Sequence, residues 1–253
     1  MRRNSTLMPL SHRQYALLLA TAFAIVLLAS GFRPLFPADW LLENLLVFLF
    51  VICIASLWRW FVFSRASMTL IFLFFCLHEI GAHYTYSHVP YEEWIKAITG
   101  YSVTDSMGWQ RNHYDRAIHF AFGLLLAYPI REVLLRIVHV RGFWGYFLPF
   151  NLTLTFSLTY ELIEWGAAEL LGGDLGIAYL GTQGDVWDTQ KDMLLAVLGA
   201  LLAMLITATS NACLQTDFAE EWVDSLRVKC RLPLSGAPKT QPPVRKRTPV
   251  RGK

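Results

Sequence analysis

Four short stretches carry acids and histidines at helical spacing: "HEIGAH" (His78–His83), "YDRAIH" (Tyr114–His119), "YELIE" (Tyr160–Glu164) and "DVWDTQKD" (Asp185–Asp192). Glu79 and His83, Asp115 and His119, and Asp188 and Asp192 are each i, i+4, so each pair shares a helix face. Glu161 and Glu164 are i, i+3 and extend a polar stripe that begins at Thr153 and Ser157. Carboxylates and imidazoles converging from facing helices are the donor sets of metal sites in bundles. The acids outnumber the nearby cations Arg111, Arg116 and Lys191, so some must hold a proton or share a positive ion.

Three roles fit these residues. They could be tied structurally by Arg111, Arg116 and Lys191, they could bind a divalent metal, or they could form a proton or cation path. In the metal case His83, His119, Glu161, Asp188 and Asp192 are the expected ligands. Glu164 or Asp115 is then the general base, and Arg111 or Arg116 anchors an anionic substrate group. His78, Asn112, Tyr114, Gln183 and Asp185 are expected behind them, with Asp185 as a helix cap. Many oxygen donors favour Mg²⁺ or Mn²⁺, and added histidines favour Zn²⁺ or Fe. Such an ion polarises a phosphoryl or acyl oxygen or activates water.

The elements that must deliver these residues are membrane helices. Of 253 residues 55% are hydrophobic and 16% charged, with mean hydropathy +0.39, which excludes an ordinary soluble domain. Four cysteines without CxxC spacing suggest neither a disulfide framework nor a thiolate zinc site. The expected class is all-α and polytopic. Six apolar segments, near Tyr15–Phe32, Leu41–Phe63, Met68–Tyr86, Tyr114–Leu134, Phe143–Leu170 and Asp188–Thr209, approach the length of a span. The third to sixth are expected to form a bundle; the seam Ala196, Gly199 and Ala203 suits close helix contact, and Gly123 and Ala127 repeat that design on the fourth segment.

Arginine and lysine set the expected orientation. On one side fall 17 of the 22, including those in residues 1–14, around Arg59, Arg131 and Arg136, and in the tail. That puts both termini in the cytoplasm and the acids at the outer face of the membrane. Residues 210–230 are expected to form a short amphipathic cytoplasmic helix. Residues 231–253, basic and proline-rich, read as a disordered tail. "LLGGDLG" suits a tight external turn. Membrane lipids are the expected partner, with no nucleic acid, and no protein partner is indicated.

The ordered motifs "HEIGAHYTYSHVPY", "RNHYDRAIHF", "YELIEW" and "GTQGDVWDTQKDM" resemble the YjdF-like family of bacterial inner-membrane proteins. The resemblance runs from about Leu70 to Leu205 and implies a polytopic inner-membrane protein of uncharacterised role. It carries over His78, His83, Tyr84, Arg111, Asn112, Tyr114, Asp115, His119, Glu161, Glu164, Trp165, Gln183, Asp185, Asp188 and Asp192. The last two spans are also faintly similar to VanZ-like membrane proteins. The function expected is metal-dependent chemistry on a lipid or envelope phosphate. The alternative is a cation or solute transporter, or a structural partner.

Overall fold

Apolar runs punctuated by serine, proline and glycine give long helices with defined starts. The computed structural model describes residues 10–214, and every regular element among them is helical. α1 (His12–Ser30) starts at Ser11, whose side chain and that of Gln14 cap each other's backbone N–H groups. α2 (Pro37–Leu57) opens on Pro37, whose fixed φ suits a first turn. α3 (Arg65–His83) is capped by Ser64. The connection that follows holds two short helices, α4 (Tyr91–Thr99) and α5 (Val103–Met107). α6 (Tyr114–Val133) runs into a π-helical turn over Leu134–Val138. α7 (Trp144–Leu171), α8 (Gly173–Leu180) and α9 (Asp188–Leu214) complete the order.

The six long helices coincide with the six expected segments. α1, α2, α3 and α9 are long and apolar enough to cross a membrane, while α6 and α7 match them in length but not in apolarity. Four candidate spans therefore stand, and six is an expectation. Boundaries shift by up to six residues, most at the end of α2, which stops at Leu57 and not at Phe63. Pro37 starts α2 four residues before Leu41, which places Asp39 in its first turn. α9 continues to Leu214, into the segment expected to begin the amphipathic helix. The rest of that segment and the basic tail lie outside the described residues, as do residues 1–9.

The tight turn expected at "LLGGDLG" falls at Gly172 and Gly173 and leads straight into a second helix. Gly172 and Gly173 take φ of 64° and 54°, the left-handed region that other residues rarely enter. α8 then folds back on α7, so closely that a Cβ on Gly176 would stand 2.6 Å from the Ala168 carbonyl oxygen.

Packing centres on α6 and α9. A Cβ on Gly123 would overlap the Ala196 carbonyl, and one on Gly199 would overlap that of Phe120, so the two backbones touch through the expected small-residue seam. α7 lies against both helices, and α3 against α6 and α1, with α2 beside α3. Val47, Phe74, Phe75 and Ile118 pack into one cluster where α2, α3 and α6 approach one another. The ends of α1, α3 and α7 and the starts of α2, α6 and α9 meet at one end of the bundle, where the Leu35 N–H donates to the His83 carbonyl at 2.9 Å. This is the acidic end.

The opposite end carries its own buried carboxylate. Glu132 is 1% exposed and accepts from the Ser64 N–H and Ser64 Oγ, both at 2.8 Å, from Ser67 Oγ and from Arg136. Every Glu132 oxygen is partnered, and the set closes the N-terminus of α3.

Candidate functional site

At the acidic end the residues sort into a rim and an interior. The rim is a charge-paired clasp between the start of α6 and the start of α9. Arg111 holds both carboxylate oxygens of Asp188, one of them from Nη2 at 3.1 Å, and donates to the Thr182 carbonyl at 3.1 Å. Arg116 donates to Asp185 Oδ2 at 2.5 Å and to Asp188 Oδ1 at 3.0 Å, and Lys191 donates to Asp185 Oδ2 at 2.5 Å. Asp185 Oδ1 also accepts from the Trp187 N–H at 3.1 Å, at the entry to α9. The Lys191 ammonium and then the Trp187 N–H hold the Asp185 carboxyl well below the usual range. Burial, followed by the Arg116 and Arg111 charges, keeps the neighbouring His113 imidazole below its ordinary range.

Asn112 and Gln183 lace the same connection. The Gln183 side-chain carbonyl accepts from the Asn112 N–H at 2.9 Å, and its amide donates to the Asn112 carbonyl at 3.0 Å. Asn112 Nδ2 donates to the Val89 carbonyl at 2.9 Å, and Tyr114 OH donates to that of Leu77 at 2.8 Å. These residues bind backbone and hold the connection before α6 in place.

One helical turn deeper no cation is seen to pair the acids. Asp115, His119 and Asp192 each offer a donor atom, all within 4.8 Å of one another. Glu161 brings Oε1 to 3.6 Å from His119 Nε2, and Asp115 Oδ1 lies at the same distance from it. Asp192 and Glu161 are 2% and 6% exposed, yet Asp192 Oδ1 and Glu161 Oε1 have no hydrogen-bond partner. A buried carboxylate oxygen left bare costs about 1–3 kcal/mol or more, so two together need an explanation.

The expected ligands are therefore divided. His119, Glu161 and Asp192 come together, and Asp115 joins them in the place of a ligand. Asp188 is engaged by two guanidinium groups instead. His83 stands apart, with Nδ1 2.7 Å from the Ser30 carbonyl oxygen. His78 is buried beside Tyr86, whose OH lies 2.5 Å from its Nδ1. Arg111 and Arg116, expected as anion anchors, are paired with Asp188 and with Asp185 and Asp188 respectively, while Arg116 Nε has no hydrogen-bond partner. Glu164 faces a small recess that it shares with Asp39, Glu43, Tyr86, Asp115 and Tyr179.

α2 brings acids that hydropathy alone passes over. Asp39 and Glu43 are 2% and 6% exposed, and Tyr160 of α7 donates to Glu43 Oε2 at 3.1 Å. Their i, i+4 spacing in "DWLLE" repeats the pattern of the other pairs and was the available signal.

Against known families, residues 15–212 match the one described as "Predicted membrane protein (DUF2238)". The chain belongs to this family. It is similar to the inner membrane protein YjdF of Escherichia coli (strain K12), at 37% identity over 190 residues, which are 75% of this chain and 87% of that relative. No solved structure matches it. The YjdF-like resemblance thus extends over most of the membrane domain and takes in α1 and α2, which the motifs did not cover.

Proposed function

We propose that the interior set binds a divalent cation and that the protein carries out metal-dependent chemistry on a phosphate-bearing lipid or envelope molecule. The observation behind this reading is the pair of bare, buried oxygens, Asp192 Oδ1 and Glu161 Oε1, beside the donor group of Asp115, His119 and Asp192. Acids this close and this dry cannot all be charged without a positive partner, and the rim has used the nearby guanidinium groups. Asp115, His119, Asp192 and Glu161 would hold the ion, which would supply Lewis-acid polarisation of a phosphoryl oxygen or an activated water. Glu164, behind Asp115, would take up the proton. Arg111 and Arg116 would meet a substrate anion only by exchanging Asp185 or Asp188 for it. Elemental analysis of detergent-purified protein should find close to one equivalent of a divalent metal, and Asp192→Asn should lose it. Metal-free wild type would remove the reading.

The orientation belongs to the same proposal. With the basic residues inside, the acidic end faces outward. Val186, 85% exposed beside the rim, tests this as Val186→Cys in a cysteine-free background. An impermeant maleimide should label it in intact cells, and labelling only after lysis would reverse the orientation.

The second reading is a protein without catalysis whose acids tie helices together, and the rim favours it. Transport gains less support. Asn151 and Thr155, polar groups on the far half of α7, bond to their own helix at 3.0 and 2.9 Å. Glu132 is fully partnered.

A further inference from the structure

A cavity of about 520 Å³ lies beneath the interior acids, between α2, α3, α6 and α7. Its wall on α6 runs from Asp115 to Leu134. At 1.5 Å per residue that is roughly 28 Å, close to the ~30 Å depth of a bilayer's hydrocarbon core. A volume of this size between walls this long has room for an extended hydrocarbon chain.

The walls are graded. The acidic end of the cavity presents Glu43, His78, Tyr86, Asp115, His119 and Tyr160. Below it come Phe50, Ile71, Phe74, Phe122, Leu126 and Phe156, with Ser157 and Thr159 of α7 the polar exceptions. A polar head and a long apolar shaft form the outline of an amphiphile. An apolar void stays dry and leaves its lining without contacts, so the bilayer's own chains are the natural filling.

The cavity also has a side entrance. α2 and α7 flank it without extended packing against each other, and the Tyr160–Glu43 hydrogen bond joins them near its polar end. Phe156 and Ile163, which line it from α7, are 48% and 41% exposed. A chain can therefore enter sideways from the membrane. Among the described residues no lysine or arginine lines the cavity. An anionic head would reach Asp115 and His119 only together with a cation.

We propose that this cavity is the binding site for the hydrocarbon chain of a single-chain phosphate amphiphile, admitted between α2 and α7 with its head at the interior acids. The inference names the substrate class of the site proposed above, and it rests on that reading for the head group alone.

The test uses purified full-length protein in nanodiscs and a photoreactive probe, hexadecanol with a diazirine at the end of its chain. Cross-links mapped by mass spectrometry should be saturable and should fall on the deep walls near Leu126 and Leu134. Leu126→Trp and, from the opposite wall, Ile71→Trp each fill the shaft and should reduce this labelling at least tenfold. Leu202→Trp, on an exposed face of α9, should leave it unchanged. The neutral probe should still label Asp192→Asn, whereas competition by phosphate amphiphiles should require bound metal and vanish in that variant. A polyprenyl phosphate and a lysophospholipid serve as the competing arms, and the stronger competitor names the source. Unsaturable labelling that neither tryptophan alters would overturn the proposal. Chain labelling that persists while competition ignores metal would leave the chain site standing and remove the metal reading.

Discussion

The rim and the interior of the acidic end are built from the same residue types one helical turn apart, yet their electrostatics are opposite. At the rim Asp185 and Asp188 each form ion pairs, with Arg111, Arg116 and Lys191 between them. In the interior Asp115, Glu161 and Asp192 meet one another and a histidine. Had the acids served only to tie helices, the cations would have been spread among them. Their concentration at the rim leaves the interior set without a paired arginine or lysine among the described residues, and the cation proposed above would supply that charge.

The largest effect should come from breaking the rim. Asp188→Ala would leave Arg111 and Arg116 facing a hole, and removing one partner of a buried pair costs about 3–5 kcal/mol. Asp188 is 4% exposed, so the thermal midpoint should fall steeply, together with metal content through loss of the fold. Asp188→Asn keeps the volume and should lose less. An Asp188→Ala protein as stable as wild type, but without metal, would move Asp188 from the clasp into the ion site.

The helices, their order and the paired acids were legible in the sequence because helical spacing and apolar length are local properties. The α6–α9 contact was legible too, since glycines and alanines four residues apart on both helices admit close approach. The allocation of cations was not. Which of Asp188 and Asp192 meets Arg111 depends on how the connection before α6 folds over α9, through Asn112 and Gln183. His83 was misplaced for a similar reason: its spacing with Glu79 is right, but α1 supplies the carbonyl that takes its ring nitrogen. Asp39 and Glu43 were hidden by their own helix, where apolarity was so complete that its first two turns drew no notice. Glu132 needed the α3 cap to be seen at all.

A smaller effect should separate Asp185 from Asp188 through pH. Asp185 is the more open of the two, with 18% of its side chain exposed, so Asp185→Asn should lower the thermal midpoint far less than Asp188→Ala. Its carboxyl is held low, so its stabilising contribution is complete above roughly pH 4 and disappears as pH falls through the folded value. Melting curves of Asp185→Asn and wild type should therefore differ by a constant amount at neutral pH and converge in acid. A difference that grew in acid would mean that another group controls the rim.

The contrast between rim and interior is tested most directly by melting wild type, Asp188→Asn and Asp192→Asn with and without a strong chelator. A bound ion adds stability that chelation removes. The chelator should lower the midpoint of wild type and leave Asp192→Asn untouched, since that variant has nothing to lose. Asp188→Asn should start lower and still respond. If wild type is indifferent to the chelator and Asp192→Asn melts higher than wild type, the interior acids hold no ion and their burial is only tolerated.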